Sequence, residues 1–452
     1  VLWWLVWTSY CYWFLGAFAT AYALLTTFIY LKKRRVTKPG NRHVTESLSV
    51  VFPCYGVYDE AVQFPIWDKY LQQVYDGPID YVFVVETTVD PAFTHLSNYM
   101  KSKNAFIENE FATFAPGRRI TLKVAGQSYH CTQKLRNQIA GLRGQKTDYF
   151  ISMDDDMMVN EYVFQELVYS IRNKKAFGTG YTVEIPTTSC WGSQLVASFR
   201  SILLFGFIFK KAGGIWGGCM CFSSKDYFKL EIESTLANGG YADDNLIQAI
   251  AAKNGYSVIA PESLIFVNRN DGGTFRQKYL EYIKRQWATT KFYLGRKNKI
   301  LTRVQQTTVI GLGVVFQIAF IGVLASILNY KGFYRLIKQL LFVFCYIFVI
   351  GTFQNIEIRA FKEICARMTG QKITDCLKSF KSGLSWHAHV MMSSYLFSYV
   401  LTLKKIVWKA QTYTCVQGKV THVERHGKQG KGFQESLAEF YNTPVFTSKN
   451  VE

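Results

Sequence analysis

The first thirty residues, Val1 to Tyr30, carry no charged side chain and lead straight into Lys32-Lys33-Arg34-Arg35. A helix needs about 20 apolar residues to cross a hydrocarbon layer of about 30 Å, so this segment predicts a transmembrane signal anchor. Basic clusters stay on the cytosolic side, which leaves the N-terminus outside and delivers the chain after Arg35 to the cytosol. The run is too long for a removed signal peptide, and no small-residue cleavage site precedes the basic cluster. Everything after Arg35 must therefore fold beside a membrane.

Further apolar runs follow at Thr308 to Leu328, Leu340 to Phe353 and Trp386 to Leu403. Between the first and second spans lies a water-compatible block of roughly 270 residues, long enough for a working domain. The stretch Gln194 to Phe209 is apolar but has Arg200 at its centre. An arginine at mid-bilayer costs about 2.5 to 3.5 kcal/mol, so the stretch reads as an interfacial or shallow re-entrant helix. Ile356 to Gly383 alternates charge with Ile, Phe and Leu, the pattern of an amphipathic helix lying on a membrane. Four crossings would put the basic tail after Lys404 outside, against the charge rule, and three would keep it in the cytosol. The expected division is an anchor (1–35), a cytosolic domain (36–300) with interfacial helices near 194–210 and 275–294, a helical membrane region (301–404) and a basic tail (405–452).

Composition agrees with a membrane-tied, folded chain. Of 452 residues 49% are hydrophobic, 16% aromatic and 19% charged, which excludes intrinsic disorder. Mean hydropathy is +0.02. The net charge of +20 favours nucleic acid, an anionic membrane face or an anionic substrate. The 10 cysteines are scattered and form neither a disulfide framework nor a zinc pattern. No Asn-x-Ser/Thr sequon occurs, in keeping with a reduced, cytosolic bulk.

Within the soluble block, Leu48 to Phe52, Tyr81 to Val85, Leu122 to Ala125 and Tyr149 to Met153 are short apolar runs that predict buried strands. A helix from Thr132 to Leu142 stands between the last two. Alternating strands and helices mean an α/β sheet, and such sheets bind ligands outside the carboxyl ends of their strands. Glu86 and Asp154-Asp155-Asp156 fall at those ends. Asn160 can then cap a helix carrying Val163, Phe164, Leu167, Val168 and Ile171. Further on, Trp216-Gly217-Gly218-Cys219-Met220-Cys221 reads as a tight turn into a strand. Gly239-Gly240-Tyr241-Ala242-Asp243-Asp244 delivers two carboxylates to the start of a helix that ends by Gly255. Phe275 to Leu294 predicts a helix rich in basic and aromatic residues, among them Lys284, Arg285 and Trp287, at the membrane surface.

Asp154-x-Asp156 after a strand suits a divalent cation, Mg²⁺ or Mn²⁺, bridging the phosphates of a nucleotide sugar; three adjacent acids are equally common in a solvated turn. Asp244 fits a helix-start acid and also a general base taking a proton from an attacking hydroxyl. Lys284 and Arg285 fit a lipid-facing basic patch and also a clamp on a departing pyrophosphate. His387-x-His389 has too few partners for a metal site and reads as packing. Gly311-x-Gly313 lacks a dinucleotide fingerprint, and no P-loop, G-x-S-x-G or zinc motif occurs.

The order of these motifs resembles that of ceramide glucosyltransferases, glycosyltransferase family 21, especially the plant-type branch. Val84-Val85-Glu86-Thr87-Thr88-Val89-Asp90-Pro91-Ala92 is similar to the first acidic motif, and Cys131-Thr132-Gln133-Lys134 with Asn137-Gln138 to the stretch after it. Met153-Asp154-Asp155-Asp156 resembles the second motif; Trp216 to Met220 and Gly239 to Asp244 resemble the acceptor-side turn and the third. Arg285 and Trp287 fall where a Q/R-x-x-R-W box belongs, with Ile283 and Gln286 at its two other positions. Trp408, Tyr413 and Gly418-Lys419 are similar to the family's tail.

The resemblance implies a GT-A nucleotide-sugar-binding domain between an N-terminal transmembrane helix and a C-terminal helical membrane region. It also implies an inverting transfer of glucose from UDP-glucose to the primary hydroxyl of ceramide, and an integral membrane protein of the Golgi or endoplasmic reticulum with its catalytic domain in the cytosol. In those terms Asp154 and Asp156 hold the cation and Asp244, beside Asp243, is the base. Glu86, Lys134, Asp154 and Trp287 serve the donor, Arg285 offsets diphosphate charge, and Trp216, Gly217, Gly218 and Cys219 line the acceptor side. Membrane lipids are expected neighbours; neither nucleic acid nor an obligate protein partner is. The rivals are a processive polysaccharide synthase of hyaluronan or chitin type, which needs a tunnel through the spans, and a non-catalytic membrane scaffold, which leaves the strand-end acids without a purpose.

Overall fold

The computed structural model describes residues 2–442 other than 37–38, 41, 104–105, 109–110, 208, 271, 273, 330–331, 371, 409–410, 426–427 and 430–432. The last part of the basic tail, 443–452, lies outside these residues. The chain begins with α1 (Leu2–Lys33), β1 (Leu48–Pro53), α2 (Glu60–Leu71), β2 (Ile79–Val85), α3 (Pro91–Ser102), β3 (Phe106–Glu108), β4 (Phe111–Ala115) and β5 (Arg118–Val124). It continues through α4 (Gln133–Leu142), β6 (Tyr149–Met153), α5 (Val163–Ile171), β7 (Ala176–Thr179), β8 (Tyr181–Pro186), α6 (Trp191–Leu204), β9 (Cys219–Ser223), α7 (Ser224–Lys229), α8 (Ile232–Ala237) and α9 (Asp243–Asn254). After β10 (Ser257–Ile259) and β11 (Ile265–Asn270) come α10 (Glu281–Ala288), α11 (Gly295–Leu328), α12 (Phe333–Thr369) and α13 (Ser379–Thr402). The end is β12 (Lys405–Trp408), β13 (Gln411–Val416), β14 (Lys419–Arg425), β15 (Lys428–Gln429) and α14 (Phe433–Asn442).

Among the described residues one mixed sheet has the order β10-β7-β9-β6-β1-β2-β5-β4-β3. Its centre is parallel: Leu48 pairs with Ile79 on one side and Tyr149 on the other. The five residues Leu48 to Phe52 are all buried, so a strand covered on both faces reads as an unbroken apolar run rather than an alternating one. β6 spans Tyr149–Met153 as the sequence predicts, and α4 begins after Thr132 as expected. α9 ends on Gly255, whose φ of +69° is left-handed and favours glycine.

Asn160 does not cap α5. Tyr162 is the cap residue, and the Asn160 carboxamide oxygen instead accepts from the Tyr162 amide at 2.8 Å. All ten cysteines are unpaired, six of them buried.

Three helices among the described residues are long and apolar enough to cross a membrane: Val6–Lys33, Gly295–Leu328 and Phe333–Thr369. Trp3, Trp13, Leu24 and Phe28 on the first, and Leu312, Ile318 and Ile321 on the second, point away from the protein. An outward apolar surface of that extent needs a lipid or protein partner.

One membrane-surface expectation is corrected. Ile356 to Gly383 is not one amphipathic helix lying on a bilayer. Up to Thr369 it is the end of α12, and Ile358, Phe361, Ile364 and Cys365 belong to the main core. That stretch lies against the parallel pair β8–β11, and Ser379 to Gly383 begins α13. Of Gln194 to Phe209, the stretch up to Leu204 belongs to α6. α6 is buried along most of its length between β8 and α13.

Candidate active site

The turn after β6 is held from below by aromatic residues on and beside α2. The Tyr70 hydroxyl donates to the Asp154 carbonyl at 3.1 Å, the Trp67 indole to the Asp155 carbonyl at 3.2 Å, and the Tyr58 hydroxyl to the Asp155 carboxylate. With its backbone fixed, the turn directs Asp154 and Asp156 into a cavity of about 330 Å³ at the carboxyl ends of β1 and β6.

Opposite stands α9, whose first residues are Asp243 and Asp244. Asp243 is buried and fully used: Gln138 donates to its Oδ2 at 2.6 Å and the Asp244 amide to its Oδ1 at 3.0 Å. Gly217 makes that approach possible, since a Cβ there would lie 2.4 Å from Asp243 Oδ1. Gly239 has φ +80°, which turns the chain toward α9 without strain.

Lys134 on α4 joins the two acid groups. Its Nζ lies 2.8 Å from Asp154 Oδ1 and 3.3 Å from Asp243 Oδ2, and donates to the Gly217 carbonyl at 2.9 Å. Burial lowers the Lys134 pKa, but Asp154, Asp243 and Asp244 outweigh it and hold the ammonium well above the ordinary lysine range. Asp156 is open to the cavity yet enclosed by its walls. That enclosure, with Asp155, Asp154 and Glu184 nearby, raises its carboxyl above the ordinary carboxylate range. Asp244 is raised likewise, by enclosure first and then by Asp243.

A second cavity, of about 450 Å³, adjoins the first. Its walls are mixed: Phe199, Ile202 and Leu203 of α6, Ala249 and Ala252 of α9, Trp287 and Phe292 around α10, and Leu301 of α11 stand beside Asn245, Gln248, Asn298 and Gln305. Asp244, Arg200, Trp216, Gln286 and Thr289 line both cavities. Arg200, 9% exposed, lies over the Tyr181 and Tyr282 rings with Nε 3.9 Å from Glu184.

No family model and no curated protein matches the chain. Among solved structures, a mannosyltransferase from Pyrobaculum calidifontis in complex with GDP-Man and Mn²⁺ aligns at a TM-score of 0.47 and 13% identity, over 78% of this chain and 97% of that one. The resemblance to ceramide glucosyltransferases therefore rests on the sequence motifs.

Of the residues singled out from sequence, Lys134, Asp154, Asp156, Trp216, Gly217, Gly218, Asp243, Asp244 and Arg285 line the first cavity. Three do not. Glu86 is buried in an ion pair with Arg425 and accepts from Gln411 at 3.4 Å. Trp287 stacks on Phe397 and lines the second cavity instead. Cys219 is buried in β9, opposite Met153.

Sequence reasoning missed Arg200, Gln411 and Arg425 as parts of this region, and named Gln138 only within a motif. Arg200 carried the one available signal, an arginine centred in an apolar run. The sheet β12–β15 brings Trp408, Gln411 and Tyr413 to the outer wall, and Arg285 is held between the Tyr282 and Trp408 rings at 5.5 and 5.2 Å.

Among the described residues no group of three or more His, Cys, Asp or Glu forms a protein-only metal cage. Mg²⁺ and Mn²⁺ sites that bind nucleotides commonly use one or two carboxylates plus phosphate oxygens. Asp156, and the Asp154 oxygen not engaged by Lys134, fit that smaller donor set.

Proposed function

We propose that this chain is a membrane-bound inverting glycosyltransferase that moves glucose from UDP-glucose to the primary hydroxyl of ceramide. The observation that carries the reading is the position of Asp244 on a wall common to an acid-lined cavity and a second one that also presents apolar side chains of α6, α9 and α11. A sugar diphosphate suits the first and a lipid the second, so their reacting atoms would meet at this carboxylate. The family motifs supply the sugar and the acceptor.

In this mechanism an Asp244 carboxylate oxygen accepts the acceptor hydroxyl proton. The freed oxygen bonds to the anomeric carbon from the face opposite the diphosphate, the bond from that carbon to the β-phosphate oxygen breaks, and UDP leaves. Asp243, buried and engaged at both oxygens by Gln138, Lys134 and the Asp244 amide, orients rather than reacts. Lys134 and Arg285 offset charge on the departing diphosphate. Asp154 and Asp156 would hold a divalent cation, which supplies positive charge next to the leaving group. Raised above the usual carboxylate range, Asp244 is a stronger base than an exposed aspartate.

The test is UDP release by the full chain in nanodiscs supplied with UDP-glucose, with and without ceramide. Ceramide-dependent release supports the reading, and release indifferent to ceramide overturns the acceptor. EDTA and Asp156→Ala should each weaken donor binding. Binding and turnover that ignore both would remove the cation from the mechanism.

A further inference from the structure

We propose that the first turns of α11 hold an anionic phospholipid, its phosphate on Lys299 and Arg303 and an acyl chain against Ile300 and Val304. Two concavities flank this helix, of about 100 and 580 Å³, and Lys299 and Arg303 line both. Four residues apart, they project from the same side of the helix. The smaller concavity has Thr290, Lys291, Thr302 and Gln306 in its wall beside Tyr293 and Leu401. The larger follows one helical stripe, with Arg296, Lys299 and Arg303 above and Ile300, Val304 and Thr307 between and below them.

Three observations point to a lipid. Ile300 and Val304 are 55% and 58% exposed, so none of the described residues covers the apolar side of the stripe. No acidic residue occurs between Glu281 and Glu357, so the helix supplies no carboxylate of its own to neutralise these cations. The continuous apolar run begins at Thr308. At 1.5 Å per residue that puts Arg303 about 8 Å and Lys299 about 13 Å above its start, within snorkelling reach of a headgroup layer.

The groove also communicates with the candidate active site. Arg303 donates to the Gln306 side-chain oxygen at 2.9 Å, and Gln306 donates to the Thr290 carbonyl at 3.0 Å. Thr290 follows Thr289, which lines both site cavities. A phosphate on Arg303 would thus brace the end of α10 that carries Arg285 and Gln286.

Native mass spectrometry of the full chain in neutral detergent tests this, by titrating phosphatidylglycerol, phosphatidylcholine and inorganic phosphate. One phosphatidylglycerol should be retained, phosphatidylcholine should not, and millimolar phosphate should fail to displace the lipid. Lys299→Gln and Arg303→Gln should each weaken retention roughly fivefold, the effect of about one lipid-facing cation. Lys297→Gln lines neither concavity and should change nothing. All three positions are exposed, so the fold should survive, as unchanged melting temperatures would verify. Equal loss in Lys297→Gln would mean diffuse charge and overturn the site. Equal retention of phosphatidylcholine, or displacement by inorganic phosphate, would overturn the anionic lipid.

Discussion

The two cavities that meet at Asp244 are built in different ways. The polar one takes its chemistry from strand ends and glycine turns, where the backbone fixes each side chain: Asp154 and Asp156 after β6, Gly217 against Asp243, and Lys134 across the gap. The other, where apolar and polar side chains mix, is made from the faces of α6, α9, α10 and α11, helices that span residues 191 to 328. A site that joins a charged donor to a lipid needs both kinds of wall and can share few residues between them. The shared ones, Asp244 and Arg200 above all, mark where the two substrates would touch.

The strongest way to break this comparison is Asp244→Asn. If Asp244 is the base where the cavities meet, kcat should fall about a hundred- to ten-thousand-fold while UDP-glucose still binds, as isothermal titration would measure; wild-type turnover would remove the role. Because the fold favours the neutral form of Asp244, the substitution should not lower the melting temperature at pH 8.

Next in size is Arg425→Met, which strips Glu86 of its buried partner; the two side chains are 6% and 10% exposed. Breaking such a pair costs about 3 to 5 kcal/mol, and the melting temperature should drop accordingly. Donor affinity should fall with it, because Trp408, Gln411 and Tyr413 ride on the same small sheet. A variant as stable as the wild type would mean that this sheet is not fastened there.

Ala252→Trp should obstruct the second cavity, which Ala252 lines, and leave the acid-lined one alone. KM for ceramide should rise about tenfold, the scale on which an apolar pocket discriminates, with donor affinity unchanged. Equal damage to both substrates would mean that the cavities do not divide the work.

The smallest effect is on pH. Asp244 must be deprotonated to act, and its raised carboxyl takes up a proton at a higher pH than a free aspartate does. Turnover should therefore fall as pH drops below neutral, before an ordinary carboxylate titrates. A rate constant flat down to pH 5 would contradict the assignment.

The polar cavity was largely legible in the sequence because its signals are local: an apolar run, then acids; two glycines, then two acids. What sequence reading missed depends on partners far along the chain. Ile356 to Gly383 has the charge alternation of a surface helix, yet the apolar side of its first half is covered by the β8–β11 pair. Arg200 reads from sequence as an obstacle to membrane insertion; its neighbours Tyr181 and Glu184 come from β8 and Tyr282 from α10, two separate stretches of chain. Glu86 was placed at a strand end correctly, but its partner Arg425 lies 339 residues away. No local pattern announces such a pair.

The central claim is that one sugar passes from UDP-glucose to one lipid at Asp244. Its most direct test is radiolabelled UDP-glucose supplied to the full chain with and without ceramide, with products divided between organic solvent and water. Label in a single glycolipid, formed only with ceramide and lost in Asp244→Asn, is the predicted result. Ceramide-independent label in a water-soluble polymer, or no transfer with either acceptor state, would contradict it.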